Sequence, residues 1–119
     1  MKRIIVSLGL IVLLGTARLE GHAFLQRAEP AVGSTVQKSP SEVRIWFTEK
    51  IEPAFSAIRV FDASGKEVDK RDARLDRSNQ ALLHVSLPPL QAGMYKVAWR
   101  VVSVDTHVTN GSFTFRVVQ

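Results

Sequence analysis

Downstream of residue 40 the chain alternates polar and apolar positions. Glu42-Val43-Arg44-Ile45-Trp46-Phe47 alternates until its last pair. Ala57 to Phe61 places Ile58 between small or polar neighbours and stops at the turn Asp62-Ala63-Ser64-Gly65. Ala81 to Leu87 is halted by Pro88-Pro89, Met94 to Val104 is β-branched and aromatic, and Ser112 to Val118 puts Phe113, Phe115 and Val117 on one face. A period of two is the signature of a half-buried strand. Pro30, Pro40 and Pro53 punctuate the remainder. No segment holds a 3.6-residue apolar period for three turns, so no long helix is expected. Lys66 to Asn79 is densely charged, with Val68 and Leu75 as its apolar residues, and reads as a solvated strand edge and long loop. The pattern predicts an all-β antiparallel sandwich of six to seven strands.

The first 21 residues follow another rule. Lys2 and Arg3 precede an almost unbroken apolar run, Ile4 to Leu14, and small or polar residues follow it. That is the layout of a cleaved secretory signal peptide, and the run is shorter than the ~20 residues of a membrane-spanning helix. Cutting after Ala17 satisfies the small-x-small preference with Gly15 and Ala17. Cutting after Gly21 leaves Leu19 at the second of those positions and makes His22 the first mature residue.

Removing residues 1–21 from the 119 leaves 98, one domain with a modest core. The leader takes Lys2, Arg3, Arg18 and Glu20 with it. Thirteen basic and ten acidic residues remain, a net charge of +3 with histidine neutral. So small and scattered a charge argues against nucleic acid as a partner, and export argues further against it. There is no cysteine, hence no disulfide and no thiolate site. Only Met94 remains as a thioether, which removes most sulfur-based soft-metal chemistry.

Gly93-Met94-Tyr95, a glycine followed one residue later by a tyrosine entering a strand, resembles the tyrosine corner of immunoglobulin-like sandwiches. No serine lies in a lipase-type elbow and there is no phosphate-binding glycine loop. The histidines carry most of the chemistry. Asp105 and His107, two apart on an expected strand, would share a face, either as half of a metal site or as a carboxylate orienting an imidazole. An N-terminal His22 would add an α-amine and a second imidazole. Three nitrogens with an oxygen suit the tetragonal preference of Cu(II), in the arrangement called a histidine brace. His84 falls opposite Leu83, Val85 and Leu87 and reads as an outward strand histidine; Met94 reads as core or rim packing.

The mature chain resembles the CopC family of periplasmic copper-binding proteins along essentially its whole length. The resemblance rests on HAFLQRAEPAVGSTV, VRIWFTEKIEPAF and LPPLQAGMYKVAWRVVSVDTHVTNGSFTFRV, and is most specific in the S-x-D-x-H run that begins at Ser103. It implies signal residues 1–21 and a copper-binding domain 22–119 with an immunoglobulin-like Greek-key fold. It also implies a metal site of His22, His107 and Asp105 for Cu(II), with Glu49 of the F-[ST]-E motif approaching the metal. Some members hold Cu(I) in a methionine-rich loop with a histidine. Residues 66–80 here contain neither, so no dedicated Cu(I) site is expected. The implied role is a soluble, monomeric, non-enzymatic carrier or buffer in the periplasm, serving copper homeostasis or resistance beside a CopD-type inner-membrane protein. Two other readings use the same residues: a brace-copper oxidative enzyme, which would present a flat aromatic face, and an immunoglobulin-like docking module without metal.

Overall fold

The computed structural model describes residues 23–119, so the expected leader and His22 lie outside the described residues. Eight strands form two four-stranded sheets: β1 (Leu25–Glu29), β2 (Thr35–Val36), β3 (Glu42–Phe47), β4 (Ala57–Phe61), β5 (Arg74–Asp76), β6 (Asn79–Ser86), β7 (Gly93–Val102) and β8 (Val108–Val117). The first sheet has the order β1-β3-β6-β5 and the second β2-β8-β7-β4. Consecutive strands repeatedly change sheet, as a Greek-key sandwich requires. The count exceeds the expected six or seven because β2 and β5 are only two and three residues long. One pairing departs from the antiparallel expectation. The chain leaves β1, crosses to the far edge of the other sheet and lays β2 parallel to β8.

Alternation explains the core. In β3, Val43, Ile45 and Phe47 point inward, and β7 contributes Tyr95, Val97, Trp99 and Val101. Phe113, Phe115 and Val117 of β8 and Ile58 and Val60 of β4 complete the layer. The sheets meet through Phe47 and Trp99, whose rings stand edge to face at 5.2 Å. Gly111 lies opposite Trp99 on β8, and a Cβ there would come within 2.7 Å of the indole. The glycine is therefore the space that Trp99 fills.

The charged stretch after β4 is more ordered than a loop. Asp69 is 8% exposed, and its carboxylate accepts the Val60 N–H at 2.8 Å and the Arg71 N–H at 3.1 Å. It closes the free edge of β4, which would otherwise offer an unpaired donor to another strand. Burial pushes this carboxyl group above its ordinary range, while Glu67 beside it is held low, chiefly by the Arg59 guanidinium. Among the described residues no helix is long and apolar enough to cross a membrane.

The tyrosine corner is present. The Tyr95 hydroxyl donates to the Gln91 carbonyl at 2.6 Å, and the ring stacks on Phe115. Replacing Tyr95 by Phe keeps the stack and removes the bond. The expected result is a loss of about 1 kcal/mol in unfolding free energy, read as a lower urea midpoint at unchanged slope.

Candidate metal centre

The end of the sandwich that carries Asp105 and His107 is assembled from both sheets. Phe47 is the last residue of β3, and Thr48 and Glu49 continue beyond it. Ile51 follows, 2% exposed, donating its N–H to the Gln80 carbonyl of the first sheet and bridging to Ser103 of the second. Val104 N–H donates to the Lys50 carbonyl at 3.0 Å. These bonds tie the β7–β8 connection to the end of β3.

That connection corrects one expectation. β7 ends at Val102, so Asp105 and His107 lie in a turn and not on one face of a strand. The Ser103 N–H donates to the His107 carbonyl at 2.9 Å and the Thr106 N–H to the Ser103 carbonyl at 2.8 Å. Thr106 has φ +73°, a left-handed conformation that is costly for a β-branched residue and is held here by the surrounding bonds. The turn still brings the two side chains together: His107 Nδ1 lies 3.3 Å from Asp105 Oδ1, and both side chains are about half exposed.

Ser103 organises this turn. It is 1% exposed, its hydroxyl donates to the Asp105 carboxylate, and the His107 N–H reaches the same hydroxyl oxygen at 3.3 Å. The Ser103 hydroxyl, followed by His107, holds the Asp105 carboxyl below its ordinary range. With Nδ1 turned to the carboxylate, the imidazole is oriented and its Nε2 becomes the nitrogen suited to a metal. An imidazole with a neighbouring carboxylate is a fitting donor pair for Cu(II).

Glu49 is exposed in the bend after β3 and lines an open depression with Lys50, Gln80 and Val104. It shares the end of the sandwich with the pair. Among the described residues, however, no three of histidine, cysteine, aspartate and glutamate come together as a metal-holding group. His22 lies outside the described residues. The chain that follows it is tightly placed: Ala23 is fully buried, its carbonyl accepts the Thr109 hydroxyl, and Phe24 exchanges two 2.9 Å bonds with Thr48.

His84 faces outward as expected but is embedded, with 14% of its side chain exposed. Its Nδ1 is 3.0 Å from Glu42 Oε1 and its Nε2 3.6 Å from Asp76 Oδ1. Arg44 and Arg74 complete the network, so positive charge already balances these carboxylates. Met94 is at the rim, 36% exposed, beside Phe61 and Tyr95. The sequence reading assigned no role to Ser103, Thr48 or Thr109. A hydroxyl at a strand end looks like any surface residue until its partner is known.

Comparison with known proteins gives a consistent result. The CopC domain family model matches residues 25–118. The copper transport protein CutJ of Bacillus subtilis is 30% identical over 97 residues, which cover 81% of this chain but 18% of CutJ. The chain thus spans less than a fifth of that relative. The crystal structure of CopC from Methylosinus trichosporium OB3b superposes with a TM-score of 0.77 at 35% identity, covering 82% of this chain and 94% of that one. That of PcoC, a methionine-rich copper resistance protein from Escherichia coli, gives 0.71 at 29% identity, covering 82% and 99%.

The Asp105 carboxyl yields a prediction without metal. A depressed carboxyl contributes stability above its unfolded value of ~3.9 and loses it as pH falls through the lower folded value. In the metal-free protein, NMR titration should find Asp105 below that value, and Ser103→Ala should raise it. An unchanged Asp105 titration in the variant would remove Ser103 from this role.

Proposed function

The chain belongs to the CopC family, and from that premise we propose that it is a periplasmic Cu(II)-binding protein, a carrier or buffer in copper homeostasis or resistance and not an enzyme. In this reading residues 1–21 are a leader whose removal makes His22 the first residue of a domain spanning residues 22–119. His22 supplies its amine and an imidazole nitrogen, His107 a second imidazole, and Asp105 a carboxylate at or beside the metal. Glu49 lies at the same end and approaches the copper from the first sheet.

One observation carries the reading. Thr109, two residues beyond His107, binds the carbonyl of Ala23, so the two ends of the proposed site are fastened at one place on the fold. Consecutive Cα atoms are ~3.8 Å apart, so the proposed ligand His22 would enter the site from a fixed neighbour, Ala23. The names of the relatives, a copper transport protein and a copper resistance protein, support the metal.

The oxidation state follows from the donors. Nitrogen and carboxylate favour Cu(II), whereas Cu(I) favours thioethers. Met94 is the second residue of β7 and His107 lies beyond its far end. At ~3.3 Å per residue, eight steps along the strand separate Met94 from Val102 by about 26 Å. No thioether of the mature chain then serves the copper end, in contrast to a methionine-rich relative. For a carrier, copper is cargo, and the partner fitting this reading is a CopD-type membrane protein. A relative in which a region like this chain makes up 18% of a copper transport protein is consistent with such a pairing.

Protein exported by a cell and examined by native mass spectrometry should begin at His22 and retain one Cu(II), lost in His107→Ala. A product beginning at Arg18 that retains no copper would refute the site.

Two imidazoles with reference pKa ~6.5 and an amine at ~7.7–8.0 must give up protons to bind. Affinity should therefore weaken as pH falls, approaching about a thousandfold per unit below the imidazole range. Equal affinity at pH 7 and pH 5 in a chelator competition would exclude three nitrogen ligands.

A further inference from the structure

The peptide group joining Ala23 to Phe24 is gripped at both of its polar atoms. Its carbonyl, on Ala23, accepts the hydroxyl of Thr109 from the second sheet. Its N–H, on Phe24, donates at 2.9 Å to the hydroxyl of Thr48 at the end of β3 in the first sheet. The Thr48 N–H returns a 2.9 Å bond to the Phe24 carbonyl. Ala23 is fully buried beneath these contacts. A peptide plane fixed at both ends, by side chains from opposite sheets, cannot rotate about either flanking bond without breaking one of them. Ordinary strand pairing fixes neighbouring peptides through backbone partners, so the use of two threonine hydroxyls here calls for an explanation.

We infer that Thr48 and Thr109 are positioning residues for copper, holding the Ala23–Phe24 peptide so that the chain's first residue meets His107. The inference rests on the proposed Cu(II) site and adds to it the means by which a chain terminus becomes a preorganised ligand. A free terminus has few constraints and would lose much conformational entropy on binding. Fixing the second peptide from that terminus, with Ala23 itself buried, removes part of that loss beforehand, and neither threonine has to touch the metal. Outer residues that orient ligands in this way typically change metal affinity by ~10–100-fold when altered. Each clamp residue also has a neighbour in the site: Thr48 precedes Glu49, and Thr109 lies two beyond His107. One peptide thus couples the first sheet to the second at the copper end.

The test uses processed, exported protein and Cu(II) in competition with a chelator. Thr109→Val and Thr48→Val, which keep shape and remove the hydroxyl, should each weaken Cu(II) binding by ~10–100-fold, and Thr109→Ser should restore it. In metal-free protein, Thr48→Val should speed hydrogen exchange at the Phe24 amide, a readout independent of copper. The Cu(II) EPR spectra of the valine variants should shift, while urea unfolding shows that they remain folded. Folded valine variants with unchanged affinity and EPR spectra, alongside a His107→Ala variant that loses copper, would overturn the clamp and leave the site standing. A His107→Ala variant that binds normally would overturn the site and the clamp with it. Should Thr109→Val not fold, the exposed Thr48→Val decides between these outcomes.

Discussion

With no cysteine in the chain, the two sheets are held together chiefly by what they bury between them, and the contact of Phe47 with Trp99 joins them at the end of β3 that leads to the candidate metal centre. Much else at that end depends on it. Phe47 is the last residue of β3, so its seating fixes where Thr48 and Glu49 emerge. Trp99 is opposite Gly111, and only a residue without a side chain leaves the indole its place. From Trp99 and its partner Gly111, β7 and β8 run three residues further, to Val102 and Val108, and are joined there by the turn that carries Asp105 and His107. A close-packed interior transmits such placement with little slack.

The site is built on this rigidity by short polar bonds. Ser103 sets Asp105, and Asp105 orients His107. Ile51 joins the turn to the first sheet, and Thr48 and Thr109 fix the Ala23–Phe24 peptide. Charge is treated differently on the outer face of the first sheet. There Glu42, Arg44, Arg74, Asp76 and His84 form an ion-pair network that ties the edge strand β5 to β3 and β6, although Arg44 Nε and His84 Nε2 make no hydrogen bond within it.

Much of the fold was legible in the sequence. β3 and β4 run over the residues their alternation predicted, because one face of each is buried and a turn follows it. The tyrosine corner was visible as Gly93-Met94-Tyr95. The strand called over Met94 to Val104 runs two residues too long for a physical reason. Val101 to Val104 keeps β-branched character, and no glycine or asparagine marks the turn. Instead the turn is made by Ser103's hydroxyl and by Thr106 in a left-handed conformation, neither of which has a local signature. The embedding of His84 was equally hidden, since Glu42 is 42 residues away in sequence. The same holds for Thr109 and Ala23, separated by 86. His22, Asp105 and His107 were candidates on residue type and spacing, and the family resemblance added Glu49; the fold brings Asp105 and His107 together, while His22 lies outside the described residues.

The most direct measurement is EPR, with resolved nitrogen hyperfine structure, on the processed protein carrying one equivalent of Cu(II). The account predicts a single tetragonal Cu(II) species coupled to three nitrogens, two of them imidazole and one an amine. A spectrum of aqueous Cu(II), or a bound species coupled to one nitrogen only, would contradict it.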